Sequence, residues 1–203
     1  MQLKDTTRTL SAASIAGQSF EVTERGTLDN SSMAIFRNEP EEFQRLDWAL
    51  LQNGAVTLYF RPQVLAEDIE WLKRHAYRVD TFECSGWSDE GEMHQALSYG
   101  LEFPDYYGHN LDALNDCIGD IEIPDEGGRV LVFNRYDSFA EKVPQVAWSV
   151  LDIMETNSRR LLLFGSRLII LVQSDDPEIF FEPVGASSVS WNRREWLNTS
   201  RGL

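Results

Sequence analysis

Lysine and arginine are absent from residues 79–128, although the chain holds 18 of these residues in total. The same segment contains 13 aspartates and glutamates, which account for most of the formal net charge of −15. Such one-sided charge attracts a basic partner and steers its approach. It argues against direct nucleic-acid binding, because that function requires lysines and arginines that neutralise phosphates. An acidic surface that serves only solubility is the alternative to a binding role.

Cysteine is scarce too, since Cys84 and Cys117 are the only two and their spacing matches neither a CxxC motif nor a disulfide framework. This usage predicts free thiols in a reducing compartment. The most apolar run, residues 161–172, is interrupted by a glycine and an arginine and is too short to span a bilayer. Residues 1–17 contain too weak an apolar stretch for a secretory signal. The sequence therefore predicts a cytoplasmic protein that does not contact a membrane.

Strand-like and helix-like segments alternate along the chain from residue 41 onwards. Apolar residues make up 42% of the chain and charged residues 25%, which is typical of a globular protein. Predicted strands are residues 55–60, 77–82, 129–133 and 168–172, and predicted helices begin at residues 41, 62, 90 and 143. This alternation predicts an α/β fold in which helices pack on a small parallel sheet.

The two ends of the chain carry weaker signals. Residues 1–40 predict a loose arm or a short hairpin, with strands at 20–24 and 33–37. In the tail, residues 179–182 predict a strand and residues 193–197 a short helix. Two tryptophans in the tail, at positions 191 and 196, could form a binding platform. We favour the interpretation that they attach the tail to the domain.

A short predicted helix follows two adjacent tyrosines in the middle of the acidic segment. Its sequence is Tyr106-Tyr107-Gly108-His109-Asn110-Leu111-Asp112-Ala113-Leu114-Asn115-Asp116-Cys117. Gly108 allows a sharp turn, and the side-chain oxygen of Asn110 can cap the first helical turn. The spacing of Leu111, Leu114 and Ile118 predicts the buried face, with Cys117 beside it.

Asp112 and Asp116 fall on the opposite face, separated by one helical turn. Carboxylates at this spacing repel each other, and such a local fault often marks a functional surface. Two negative groups flanked by phenolic rings resemble a short stretch of nucleic acid in outline. The basic active-site cleft of a nuclease would accept such a surface in place of its substrate.

The run from Tyr106 to Cys117 strongly resembles the signature helix of the barstar family, the intracellular inhibitors of barnase-type ribonucleases. A looser resemblance extends from about residue 78 to residue 173, through the predicted strands at 129–133 and 168–172. The resemblance implies a barstar-like α/β domain and a basic nuclease or toxin protein as the partner. It implies no catalytic activity, cofactor or metal.

The resemblance also implies a division of the chain. A barstar-like domain would occupy residues 77–174. Residues 41–76 would form a helix-strand-helix extension on the same sheet, and residues 1–40 and 175–203 would form the N-terminal arm and the C-terminal strand and helix tail.

Roles follow residue by residue from the same resemblance. Asp116 takes the place of the aspartate that fills the phosphate site of the nuclease, and Asp112 takes that of its partner one turn earlier. Tyr106 matches the tyrosine that packs against the catalytic histidine of the target. The complete predicted partner-binding set is Tyr106, Tyr107, His109, Asn110, Asp112, Asn115, Asp116 and Asp120.

Three departures from the family pattern predict altered target specificity. Asn115 stands where the family often has tryptophan, and Asp120-Ile121 replaces a Gly-Trp pair. The acidic contact from a later helix has no clean match around Glu155-Thr156.

The predicted function is that of an immunity protein that inhibits a nuclease. Two other classes of function remain as alternatives. One is an acidic interaction module that binds a basic protein without inhibiting it. The other is a metal enzyme that uses Asp112, Asp116 and His109. No phosphate-binding loop, nucleophile elbow or His-x-x-x-His pair completes such a site. The sequence therefore predicts a protein that is not an enzyme and binds no metal or cofactor.

Overall fold

A computed structural model describes residues 36–203. The helices are α1 (Leu46–Leu51), α2 (Pro62–Arg74), α3 (Glu90–Leu101), α4 (Leu111–Gly119), α5 (Tyr136–Lys142) and α6 (Pro144–Leu162). The strands are β1 (Val56–Tyr59), β2 (Tyr77–Glu83), β3 (Gly128–Asn134), β4 (Leu168–Gln173) and β5 (Ser190–Trp191). The predicted strand at residues 20–24 lies outside the described residues, as does most of the one at 33–37.

The five strands form one parallel sheet in the order β2-β3-β4-β1-β5. Strands β3 and β4 lie at its centre, where nearly every residue is buried. Their continuous apolar sequences suit strands that are covered on both faces. The predicted α/β class with a parallel sheet is confirmed.

Two hydrophobic cores lie on the two faces of the sheet. Alternate residues of β3 and β4 enter different cores, so that Val130 and Ile169 join one while Leu131 and Ile170 join the other. The smaller core also contains residues of α1 and α2, and the larger one contains residues of α3 to α6. The larger core includes residues of α4, whose main contacts are with α6.

The helix predicted from residue 41 is interrupted. A 3₁₀ turn at Glu42–Gln44 ends at Arg45, whose backbone is extended, and α1 begins at the next residue. The guanidinium of Arg45 donates to the buried carboxylate of Asp47 at 2.7 Å. Sequence periodicity does not reveal this break, because the apolar positions keep helical spacing across it.

The prediction for the tail was wrong in detail. Residues 179–182 are not a strand, and instead Ser190–Trp191 pairs with β1. A 3₁₀ turn at Asn198–Arg201 stands in place of the predicted helix at 193–197. Trp191 packs under the Arg201 guanidinium, 4.4 Å from the ring centre, whereas Trp196 is mostly exposed. Only the first tryptophan therefore attaches the tail.

Candidate partner-binding surface

The start of α4 is fixed by a side-chain cap. The Asn110 backbone is extended, and its Oδ1 accepts a hydrogen bond from the Ala113 N–H at 2.9 Å. The residue with left-handed backbone is His109, at φ 47°, and not Gly108 as the sequence suggested. A side chain at Gly108 would place its Cβ 3.1 Å from Asn110 Nδ2, so glycine leaves room for the cap. The predicted cap is confirmed.

The two faces of α4 are distributed as predicted. Leu114 and Ile118 are completely buried in the larger core, while Asp112 and Asp116 are exposed. Asp120, which follows the last residue of the helix, is exposed as well. Within residues 36–203, none of these three carboxylates forms an ion pair. The exposed face therefore carries three carboxylates, none of which is held in an ion pair by another described residue.

The adjacent tyrosines have opposite environments. Tyr106 is 86% exposed, whereas Tyr107 is only 5% exposed. The Tyr107 hydroxyl lies 2.5 Å from Nδ1 of His94, and its ring lies 4.9 Å from those of Phe103 and His109. Burial raises the pKa of Tyr107, so it remains a neutral phenol. Of the predicted pair, only Tyr106 presents its ring to solvent.

His94 contacts the segment between α3 and α4 through Tyr107, and it was not singled out from the sequence. It is fully buried on α3, and its Nε2 lies 3.2 Å from a carboxylate oxygen of Glu90. Burial lowers the pKa of His94, although Glu90 opposes the shift. The neutral ring can accept a hydrogen bond from the Tyr107 hydroxyl at Nδ1 and donate one from Nε2 to Glu90. This chain of contacts fixes the segment that leads into α4.

Contacts with α6 orient the other end of the acidic helix. The Asn157 Nδ2 of α6 donates to Asn115 Oδ1 at 2.9 Å. Gly119 packs so closely on Arg160 that an added Cβ would collide with the guanidinium. A cation at this position stabilises the negative end of the helix dipole. Sequence reasoning missed Asn157 and Arg160, because their involvement depends on how the two helices pack.

A groove of about 720 Å³ runs beside α4 between Tyr106 and Asp116. Asp120, Arg129 and Arg160 also line it. Arg129 is 1% exposed and donates to Asp80 at 2.7 Å and to the Glu122 carbonyl oxygen at 2.9 Å. The acidic face therefore adjoins a cleft that is lined by both arginines and carboxylates.

Glu155, at the position where the family pattern departs, has a structural role. Its side chain is buried and accepts a hydrogen bond from the Ala55 N–H at 2.5 Å. It also pairs with Arg159 at 3.5 Å. Glu155 joins α6 to the segment before β1 and is turned away from α4, so it adds nothing to the acidic face.

The described part of the chain has no group of three or more His, Cys, Asp or Glu side chains arranged to hold a metal ion. His109 lies 4.9 Å from the Tyr107 ring and 6.4 Å from the His94 ring, measured between ring centres. Among residues 36–203, no helix combines the length and apolar character needed to cross a membrane.

Comparison with known proteins finds similarity to one family and to a curated relative. The sequence model of the family described as "Barstar (barnase inhibitor)" matches residues 77–173. A Bacillus subtilis (strain 168) protein named "Putative ribonuclease inhibitor YrdF" is 54% identical to the chain over 33 residues. That alignment covers 16% of this chain and 36% of the relative. The chain thus spans about a third of the relative's length.

Proposed function

We propose that the chain, which carries a barstar-family domain at residues 77–173, inhibits a basic ribonuclease or a related toxin nuclease by covering its active site with α4. The observation that carries this proposal is the exposed face of α4. Asp112, Asp116 and Asp120 lie there without ion-pair partners among the described residues, and α4 itself contains no lysine or arginine. Because α4 packs against α6, this charge pattern is held on a rigid element.

The two helical aspartates would occupy positions that the nuclease reserves for phosphates. Asp112 and Asp116 are separated by about 6 Å along the helix axis, at ~1.5 Å per residue. Tyr106 adds an exposed ring at the entrance of the same helix. Aromatic anchors beside desolvated charge pairs are typical of the residues that dominate binding energy in interfaces.

The remaining predicted residues take different roles in this proposal. His109 and Asp120 are exposed at the two ends of α4 and extend the surface, with Asp120 adding to electrostatic steering. Asn110 acts through the helix cap. Asn115 is exposed but already accepts a hydrogen bond from Asn157, so it offers its amide N–H₂ group to a partner. Tyr107 supports the loop and does not touch the partner.

The proposed setting is the cytoplasm of a cell that must be protected from the nuclease, where the chain acts as an immunity protein. The members of the family are inhibitors, and the proposal requires no cofactor. The departures at Asn115 and Asp120 favour a target whose surface differs from that of barnase-type enzymes in detail. The partner is defined by chemistry: a basic active-site cleft that binds RNA phosphates.

The test is capture of partners from the native host, followed by a ribonuclease assay. The baits are the wild-type chain, the Asp112→Asn/Asp116→Asn variant and an Asp125→Asn/Glu126→Gln variant. The last variant removes the same amount of charge from an exposed loop of the same acidic segment. We expect the wild type and the loop variant to retain a nuclease and silence it, and the α4 variant to lose it.

Two outcomes would contradict the proposal. If all three baits retain the same partners equally, α4 is not the binding surface. If the retained partner is a basic protein that stays fully active while bound, the chain is an acidic interaction module and not an inhibitor.

A further inference from the structure

A second surface lies on the side of α6 that faces away from α4. Asn157 and Arg160 of α6 approach α4, as described above. Asp152, on another side of α6, accepts a hydrogen bond from the Gly185 N–H at 2.7 Å. One turn earlier, Trp148 Nε1 donates to the Glu182 carbonyl oxygen at 3.3 Å. The first turns of α6 therefore face the segment that follows β4.

A groove of about 520 Å³ lies between these two elements, and we call it the C-terminal groove. Its apolar walls are formed by Ala140, Pro144, Trp148, Ile179 and Phe180. Phe180 is 73% exposed, although neighbouring Phe181 is buried. Exposed apolar surface in a concave setting commonly marks a binding site.

The walls of the C-terminal groove are held in place by specific contacts. The Asp175 N–H donates to Asp137 at 3.1 Å, which ties the segment after β4 to α5. Near the end of the chain, Arg201 Nε donates to the Pro177 carbonyl oxygen of the same segment at 2.9 Å. Phe181 packs near Tyr136, with 6.0 Å between ring centres. Phe180 is thus presented by an anchored segment, so a ligand would meet a preformed surface.

The rim of the groove carries charge of one sign. Five acidic residues line it, namely Asp137, Glu141, Asp176, Glu178 and Glu182, and no lysine or arginine does. None of them forms an ion pair with another described residue. Lys142, adjacent in sequence, directs its ammonium group to the carbonyl oxygens of Ser85 and Trp87 at 3.1 and 2.9 Å. The groove is therefore apolar inside and negative around its edge.

We propose that the C-terminal groove docks a basic peptide segment that carries a bulky apolar side chain. The apolar side chain lies between Trp148 and Phe180, and lysines or arginines on either side of it face the acidic rim. Grooves recognise amphipathic segments by this combination of an apolar anchor and complementary flanking charge. The inference does not depend on the function proposed for α4, because α6 lies between the two surfaces.

Selection from a random peptide library displayed on phage tests this proposal without assuming a sequence. The baits are the full-length wild type and Phe180→Asp, which replaces an exposed side chain and so spares the core. We expect the wild type, but not the variant, to enrich peptides that combine arginine or lysine with an aromatic or leucine residue. Enrichment of nothing, of acidic peptides, or of the same peptides by both baits would overturn the proposal.

The affinity of one enriched peptide, measured by fluorescence anisotropy, then separates this groove from other acidic surfaces. Phe180→Ser and a Glu141→Gln/Glu178→Gln/Glu182→Gln variant should each weaken binding by about tenfold or more, since hot-spot truncations cost at least this much. An Asp105→Asn/Asp125→Asn/Glu126→Gln variant, which removes equal charge elsewhere, should change it less than about threefold at 150 mM salt, where distant charges are screened. Equal losses in both triple variants would mean that the peptide senses net charge only.

Discussion

Asp116→Asn should stabilise the folded chain and at the same time abolish most of the proposed inhibition. Asp116 lies in the last turn of α4, where a carboxylate opposes the helix dipole. It is also one turn from Asp112 and one turn from Asp120, so it belongs to two like-charged pairs. Each such pair costs ~0.2–0.5 kcal/mol, and the dipole adds ~0.3–1 kcal/mol at an exposed position. Arg160 offsets part of this cost at the helix end.

The net gain in the free energy of unfolding should be about 1 kcal/mol at low ionic strength. Urea denaturation at pH 7 in low-salt buffer measures it directly, and calorimetry should show a rise in Tm of roughly 2–4 °C. The gain should shrink in 0.5 M salt, because the charges are exposed and screened. Asp125→Asn, in a loop, serves as the control and should change stability by less than about 0.5 kcal/mol.

Inhibition of the captured nuclease should change in the opposite direction. Removing one partner from a buried charge pair in an interface costs about 2 kcal/mol or more, which corresponds to at least roughly 30-fold in affinity. A gain in the free energy of unfolding together with a loss of inhibition would identify a surface whose charge opposes folding and favours binding. A variant that is less stable than wild type, or one that is more stable but inhibits normally, would refute the reasoning.

Three further predictions concern polar groups that stabilise the fold. Asn110→Ala should cost about 1 kcal/mol in urea denaturation, because the cap is lost, while Asn110→Asp keeps the cap and should cost much less. The stability of the wild type should fall as pH drops below the ordinary histidine value of 6.5, because burial lowers the pKa of His94 and protonation favours the unfolded chain. His94→Gln should remove this dependence, and an unchanged pH profile would contradict the assignment. Glu195→Ala should cost about 2–3 kcal/mol, because the buried carboxylate accepts from the N–H groups of Phe60 and Arg61 at 3.0 and 2.9 Å. A smaller loss than that of Glu178→Ala, an exposed carboxylate in the same tail, would contradict it.

The acidic helix was predictable because its signals are local. The cap at Asn110, the periodic leucines and the opposed aspartates lie within ten residues, and each acts within one or two helical turns. The central strands were equally clear, since continuous apolar runs are typical of strands covered on both faces. These features depend little on the rest of the fold.

The tail was not predictable, because long-range contacts determine its structure. Strand β5 has only two residues and forms by pairing with β1, which lies more than 120 residues earlier. The Glu195 carboxylate then accepts hydrogen bonds from the N–H groups of Phe60 and Arg61, which joins the tail to the end of β1. No local pattern encodes such contacts, whereas the apolar residues at 179–182 follow a strand-like pattern and instead line the C-terminal groove.

Long-range contacts also explain why Tyr106 is exposed while Tyr107 is buried. Adjacent aromatic residues are equivalent in sequence, and the choice of which one turns inward depends on His94 from α3. The contributions of Asn157 and Arg160 depend in turn on the packing of α6 against α4. The sequence thus indicates the surface, and the fold decides which side chains form it.

Charge compensation separates the carboxylates that hold the fold from those proposed to bind partners. Asp47 is buried and bound by Arg45, Tyr77 and Arg167. Burial raises its pKa, but the hydrogen bonds from Arg45 and Tyr77 outweigh this effect and hold the pKa below the usual value. Asp116 has no such partner among the described residues and lies where the helix dipole opposes it. Because 33 aspartates and glutamates share 18 lysines and arginines, many carboxylates must stay unpaired within the fold. Asp116 is one that the fold does not need, so its charge is available for the partner contact that we propose.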